Sequence, residues 1–243
     1  TPLLAEGDRD AVGIYLGNPN AHTLDGLVHL RAMIKALGTR NVFSATSVDQ
    51  LPKQISSALM FGAGLSIAIP DIDHTDHMLI LGANPLASNG SLMTAPNYRG
   101  RLRAIQDRGG KVVVVDPRRS RTAELADEHH FIRPGRDALL LAGIVNVLLA
   151  EDLAAPGELV AHLDGFEELA PALAPFTPEA VSASCGIADD EIRRMARELA
   201  AAERAVVYAR IGTTTQEFGT LASWLVDVIN AITGNLDSEG GAM

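Results

Sequence analysis

Residues 111–119 read KVVVVDPRR. Four consecutive valines favour a pleated strand, since β-branched side chains fit it well. A strand with one face in water alternates apolar and polar residues. This one does not, so it belongs inside a parallel sheet covered on both faces. It stops at once in Asp116-Pro117-Arg118-Arg119, where the proline has no N–H for a central ladder.

Outward from there the same order recurs. HMLIL at 77–81 runs into Gly82-Ala83-Asn84-Pro85, and AVVYA at 205–209 leads to Gly212-Thr213-Thr214-Thr215-Gln216. AVGIYL at 11–16 stops in Gly17-Asn18-Pro19-Asn20, and a short strand at 130–133 enters Pro134-Gly135-Arg136-Asp137. Apolar residues at helical spacing fill 24–37, 98–108, 138–150, 166–173, 189–202 and 221–232, with a short helix at 122–126. Residues 41–54 carry Pro52 and no clean period, and read as a loop entering a helix near 53–60. The expected fold class is α/β: a mostly parallel sheet with helices on both faces, three-layered and Rossmann-like. Ligands of such sheets sit outside the carboxyl ends of the strands, so the polar turns should gather on one edge.

Composition narrows the function. The chain has 243 residues and a formal net charge of −10, which argues against a general nucleic-acid or membrane-surface binder. With aromatics at 4%, the core is expected to be mainly Ala, Leu, Val and Ile. No apolar run approaches the roughly eighteen residues of a membrane span. Cys185 is the single cysteine, so neither an internal disulfide nor a cysteine-ligated zinc site or iron–sulfur cluster can form within the chain. A reducing cytoplasm suits it. Thr1 at the start and the Gly-rich end at Met243 read as cuts from a longer protein, and a processed terminus would read the same. The phosphate-loop and G-x-G-x-x-G fingerprints are absent, and no G-x-S-x-G marks a hydrolase.

The turns carry the chemistry that remains. In Gly82 and Asn84, a residue without a side chain stands beside an amide that both donates and accepts. Asp116 can accept from a ribose or a guanine edge, and Arg118 can pair with phosphate. Gly135 and Asp137 open a helix whose free N–H groups could meet an anion. Each also reads as an ordinary capped turn. Asp71, Asp73, His74, Asp76 and His77 resemble metal ligands in type, but a turn with caps fits their place before a strand better. His129 and His130 are adjacent and point apart in an extended segment.

In order along the chain, GANP, VVVVDPRRSRTAELADEH, FIRPGRDALL, FTPEAV, GTTTQEFG and TGNLDSEGGA resemble successive motifs of the molybdopterin oxidoreductases of the dimethyl-sulfoxide-reductase and formate-dehydrogenase type. The resemblance covers nearly the whole chain. It implies a bis(molybdopterin guanine dinucleotide) cofactor carrying molybdenum or tungsten. Carried over by motif, the dinucleotide contacts are Gly82, Asn84, Asp116, Arg118, Gly135 and Asp137. Gly212, Thr214 and Gln216 fall where the family approaches the pterin near the metal, and Asn18 and His22 in the first turn could touch the other pterin. The resemblance implies a Ser, Cys, selenocysteine or Asp metal ligand upstream of GANP; counted back from Gly62 and Gly64, that makes Asp49 the candidate, with Ser47 next, and neither residue as the remaining alternative. An iron–sulfur cluster would belong to an N-terminal part of the parent protein outside this chain.

The expected layout is a strand–helix segment at 1–40, from a neighbouring α/β domain, followed by a pterin-dinucleotide-binding α/β domain at 41–243. The partners are a small-molecule substrate of the parent enzyme and its remaining domains. The fragment is expected to be inactive alone. Two other readings stay open: a non-catalytic interaction module or paralogous subunit that kept the scaffold, and a generic nucleotide-binding domain.

Overall fold

The computed structural model describes residues 7–17 and 23–243. The chain divides into two compact units, Thr1–Leu51 and Pro52–Met243. In the first, strand β1 (Ile14–Leu16) pairs in parallel with β2 (Val42–Ser44). Helix α1 (Leu24–Leu37) connects them and ends at Gly38, whose φ of 66° is the left-handed conformation a helix C-cap favours. The strand β2 lies in the stretch that reads as a loop. Because it pairs with β1, the first unit extends past residue 40 to Leu51. Helix α2 (Thr46–Asp49) follows. No residue of α1 is buried, and Leu24, Leu27 and Val28 are exposed.

Helix α3 (Leu51–Phe61) leads into the second unit. There Lys53 Nζ donates to Asp227 at 2.7 Å, a nearly buried ion pair. The sheet of this unit has four strands: β3 (His77–Leu81), β4 (Lys111–Val115), β5 (Glu128–His130) and β6 (Ala205–Ala209), in spatial order β5-β4-β3-β6. Every neighbouring pair is parallel. Between β3 and β4 come α4 (Pro85–Ser88) and α5 (Tyr98–Asp107), and α6 (Arg121–Leu125) joins β4 to β5. Then follow α7 (Asp137–Ala150), α8 (Phe166–Leu173), α9 (Pro178–Cys185) and α10 (Asp189–Ala201) before β6. After β6 come a single turn, α11 (Ile211–Thr214), and the long α12 (Gly219–Ile232). Among the described residues, no helix is long and apolar enough to cross a membrane.

The period of two divides the core. Leu79, Leu81, Val113, Val115 and Val207 face one layer, packed with Leu140, Ile144, Ile192, Met195 and Leu225 of α7, α10 and α12. Met78, Ile80, Val112, Val114 and Val206 face the other, against Tyr98, Leu102, Ile105 and Ala123 of α5 and α6. The sheet is thus covered on both faces, as the valine run requires. On the open side of β6, Asn230 closes the backbone: its Oδ1 accepts from Val207 N at 2.8 Å and its Nδ2 donates to Val207 O at 2.9 Å. Asn235 Oδ1 accepts from Ala205 N at 2.9 Å.

Candidate functional site

Parallel strands all release their chains at one edge, and here that edge forms a cleft of about 590 Å³. It is walled by the turns after β3, β4, β5 and β6. Gly82, Asn84, Asp116, Arg118, Gly135, Asp137, Gly212 and Gln216, which lie far apart in sequence, meet in it.

Two glycines bring the turns together. Gly82 has a φ of +53°, and a Cβ there would stand 2.8 Å from Thr213 N and 2.9 Å from the backbone of Gly212. A Cβ on Gly212 would in turn stand 2.7 Å from Gly82 Cα. The β3 and β6 turns therefore pack backbone on backbone, joined by Gly212 N donating to Gly82 O at 2.9 Å. The glycines first make room for each other, which shapes the floor on which any ligand rests.

Asn84 is held by a residue whose role the sequence does not reveal. Buried Thr122 of α6 donates from Oγ1 to Asn84 Oδ1 at 2.8 Å, and accepts from Leu86 N at 3.2 Å. The contact holds the Asn84 amide in place at the cleft. The hydroxyl inside RSRTAEL was the available signal. Asp116 caps its own turn, since Oδ1 accepts from Arg118 N at 2.8 Å. The capped-turn reading and the binding reading therefore coexist, because a carboxylate has further lone pairs. The Arg118 side chain is exposed and has no ion-pair partner among the described residues.

Asp137 begins α7 and is 4% exposed. Its Oδ2 accepts from Gln216 Nε2 at 2.8 Å, and the same Nε2 donates to Thr213 O at 3.0 Å. Burial pushes the carboxyl of Asp137 above its ordinary range, the bond from Gln216 pulls it back, and the charge of Asp116 pushes it up again. The sequence placed Gln216 with a different part of the ligand from Asp137. In the structure the two side chains touch.

Thr214 is not among the residues that line the cleft. It is buried, with Oγ1 directed to Ile211 O at 3.3 Å, and the neighbouring Thr215 lines the cleft instead. GTTTQ reads as an open turn, but residues Ile211–Thr214 close one helical turn, which rotates Thr214 inward. Asn18 and His22 lie outside the described residues. Asp49 ends α2 in the first unit, half-buried, and Ser47 beside it is exposed.

Among the described residues, Glu128, His130 and Glu191 come close enough to share an ion. Their carboxylates are already paired: Lys111 meets Glu128 at 2.6 Å, and Arg194 meets Glu128 at 2.5 Å and also pairs with Glu191. This is a structural network around the starts of the strands. The aspartates of the Asp71–His77 cluster are likewise already paired. Asp71 takes His74 Nδ1 at 2.8 Å, Asp73 pairs with Arg101, and Asp76 meets Arg204 at 2.8 Å.

The arrangement can hold a ligand that combines N–H donors with anionic oxygens, since carboxylates, a guanidinium and an amide line the same cleft. A family profile described as molybdopterin oxidoreductase matches residues 3–243. The molybdopterin-containing subunit of thiosulfate reductase from Salmonella typhimurium is 32% identical over 88% of this chain and 27% of its own length. The F420-dependent formate dehydrogenase subunit alpha of Methanocaldococcus jannaschii is 30% identical over 84% of this chain and 30% of its own. Formate dehydrogenase H of Escherichia coli is 30% identical over 82% and 27%. The chain thus spans less than a third of the length of these relatives. In fold, acetylene hydratase from Pelobacter acetylenicus matches all of the chain and 32% of its own, with a TM-score of 0.78 at 24% identity. With these turns in this order, and a profile that runs from residue 3 to the last residue, the chain belongs to the molybdopterin oxidoreductase family.

Proposed function

We propose that this chain is the cofactor-holding part of a molybdenum- or tungsten-dependent oxidoreductase, and that its cleft takes the guanine dinucleotide tail of the molybdopterin. The observation that carries the reading is that two carboxylates, Asp116 and Asp137, line one cleft together with Arg118. Guanine presents adjacent N–H donors on its base-pairing edge, and a carboxylate is their natural acceptor; adenine offers no such pair there. The volume falls within the roughly 300–1,000 Å³ of small-molecule sites. The residues present therefore fit the group.

In this reading Asp137 and Asp116 accept from the base and ribose, Arg118 neutralises phosphate charge, and Asn84 donates from Nδ2. Gly82 and Gly212 keep the floor low. The bound cofactor supplies the two-electron chemistry; the chain supplies binding, orientation and electrostatics. Asp49 is the residue we assign as metal ligand, a hard oxygen donor suited to an oxidised metal. The parent enzyme would oxidise or reduce a small molecule, and this chain alone would not turn over.

The test is calorimetry with GDP and ADP on the chain and on Asp137→Ala. Selective GDP binding that weakens at least tenfold in the variant is the expected result. Equal binding of both nucleotides would instead favour a generic nucleotide site.

A further inference from the structure

The contact between Gln216 and Asp137 has no counterpart in the reading of either motif alone. It joins the turn after β6 to the start of α7, across 79 residues of sequence. The orientation of the amide is settled by its surroundings. Asp137 Oδ2 and Thr213 O are both acceptors, at 2.8 and 3.0 Å, so the nitrogen must face them; a flipped amide would set oxygen against oxygen. That leaves Oε1 on the other side, buried and without a hydrogen-bond partner. A Cβ added at Gly135 would sit 3.5 Å from this oxygen, so the glycine keeps the approach to it clear. A buried acceptor with no donor is rare in a finished structural contact. The pair is one donor short, as a receptor for a donor-bearing ligand would be.

We infer that Gln216 is a positioning residue for the base: donating from Nε2, it clamps Asp137 in the orientation that accepts from the N–H edge of the nucleotide. This rests on the guanine reading of the cleft. Asp116 on the neighbouring turn is the carboxylate whose charge Asp137 feels, and Arg118 is a cation lining the same cleft. Neither donates to the Asp137 side chain. Gln216 is therefore the side-chain donor that keeps a nearly dry carboxylate available.

A carboxyl-detected NMR titration of the ligand-free chain tests the clamp independently of any nucleotide. In Gln216→Ala the titration midpoint of Asp137 should move up by about one pH unit, because a donor to the charged form is gone. Gln216→Glu, which keeps the shape and removes the donor, should move it in the same direction. An unmoved midpoint in both folded variants would overturn the inference.

Calorimetry with GDP then reads the consequence. Gln216→Ala should weaken binding at pH 8 by roughly tenfold, and the loss of binding on acidification should begin at higher pH than in the unaltered chain. Combined with Asp137→Asn it should add little to the loss that Asp137→Asn causes alone. Additive losses would mean that Gln216 acts elsewhere, and would reject the clamp. If the unaltered chain binds no GDP, the guanine reading itself fails and the base contact with it, while the titration still decides whether Gln216 governs Asp137.

Discussion

At their amino-terminal side the four parallel strands of the second unit are tied by opposite charges; at their carboxyl side the same strands open into glycine turns where two carboxylates line one cleft. On the first side Lys111 meets Glu128 and Glu198 at 2.6 and 2.8 Å, Arg194 meets Glu198 at 2.7 Å, and Asp76 meets Arg204 at 2.8 Å. Burial alone would raise Glu128, but bonds from Arg194, Lys111 and His130 outweigh it and bring its carboxyl down to about 2. On the other side burial wins, and Asp137 stays above its ordinary range despite Gln216. The lesson is that acidic residues in one sheet serve opposite ends according to their partners. Where charge is matched, the carboxylate stabilises the fold. Where it is left short of donors, it costs stability and is free for a ligand.

The largest effect should come from the floor of the cleft. Gly82→Ala places a Cβ against backbone that cannot move aside and adds a left-handed φ, which together should cost about 3 kcal/mol. Urea unfolding measures this, and GDP binding should be lost with it. Unchanged stability would show that the turns can separate.

Next come matched edits at the two edges. Glu128→Gln should lower stability at pH 7 by about 1–2 kcal/mol, a figure reduced for the partial exposure of the network. Because the folded carboxyl titrates at about 2, below its ordinary 4.5, its contribution is present above that ordinary value and fades as pH falls toward 2. Tm followed from pH 6 down to pH 2 should therefore fall more steeply in the unaltered chain than in Glu128→Gln. GDP binding should be unaffected.

Asp137→Asn should do the reverse. Its folded value is raised, so the ionised form is disfavoured by folding and any benefit of protonation has been lost by neutral pH. The variant should hold or gain up to about 1 kcal/mol at pH 7 while losing nucleotide affinity. A drop in stability as large as that of Glu128→Gln would erase the contrast between the edges. The smallest effect belongs to Arg118→Ala: stability should stay within about 0.5 kcal/mol, while GDP binding weakens and becomes less salt-dependent.

Much of the fold was legible because it rests on short-range pattern. The KVVVV run places β4 in the sheet interior, and the glycine, aspartate and asparagine turns after the strands sort themselves onto one edge by the geometry of parallel sheets. What escaped depends on context. The β2 strand is three residues long, and only its pairing with β1 distinguishes it from a loop. Residues 24–37 show the helical spacing clearly, yet nothing in that spacing says that none of the apolar residues of α1 is fully buried. In GTTTQ the choice between Thr214 and Thr215 turns on one closed helical turn. The bonds from Thr122 to Asn84 and from Gln216 to Asp137 join residues distant in sequence, so no local period announces them.

The asparagines on the outer side of β6 have a consequence for assembly. A bare edge strand is a template for another strand. Here Asn230 occupies both the donor and the acceptor of Val207, and Asn235 takes the N–H of Ala205. The sheet is terminated there by side chains that imitate a further strand. Any larger assembly built on this chain must approach that flank through packed side chains, and cannot extend the sheet there by donating a strand of its own.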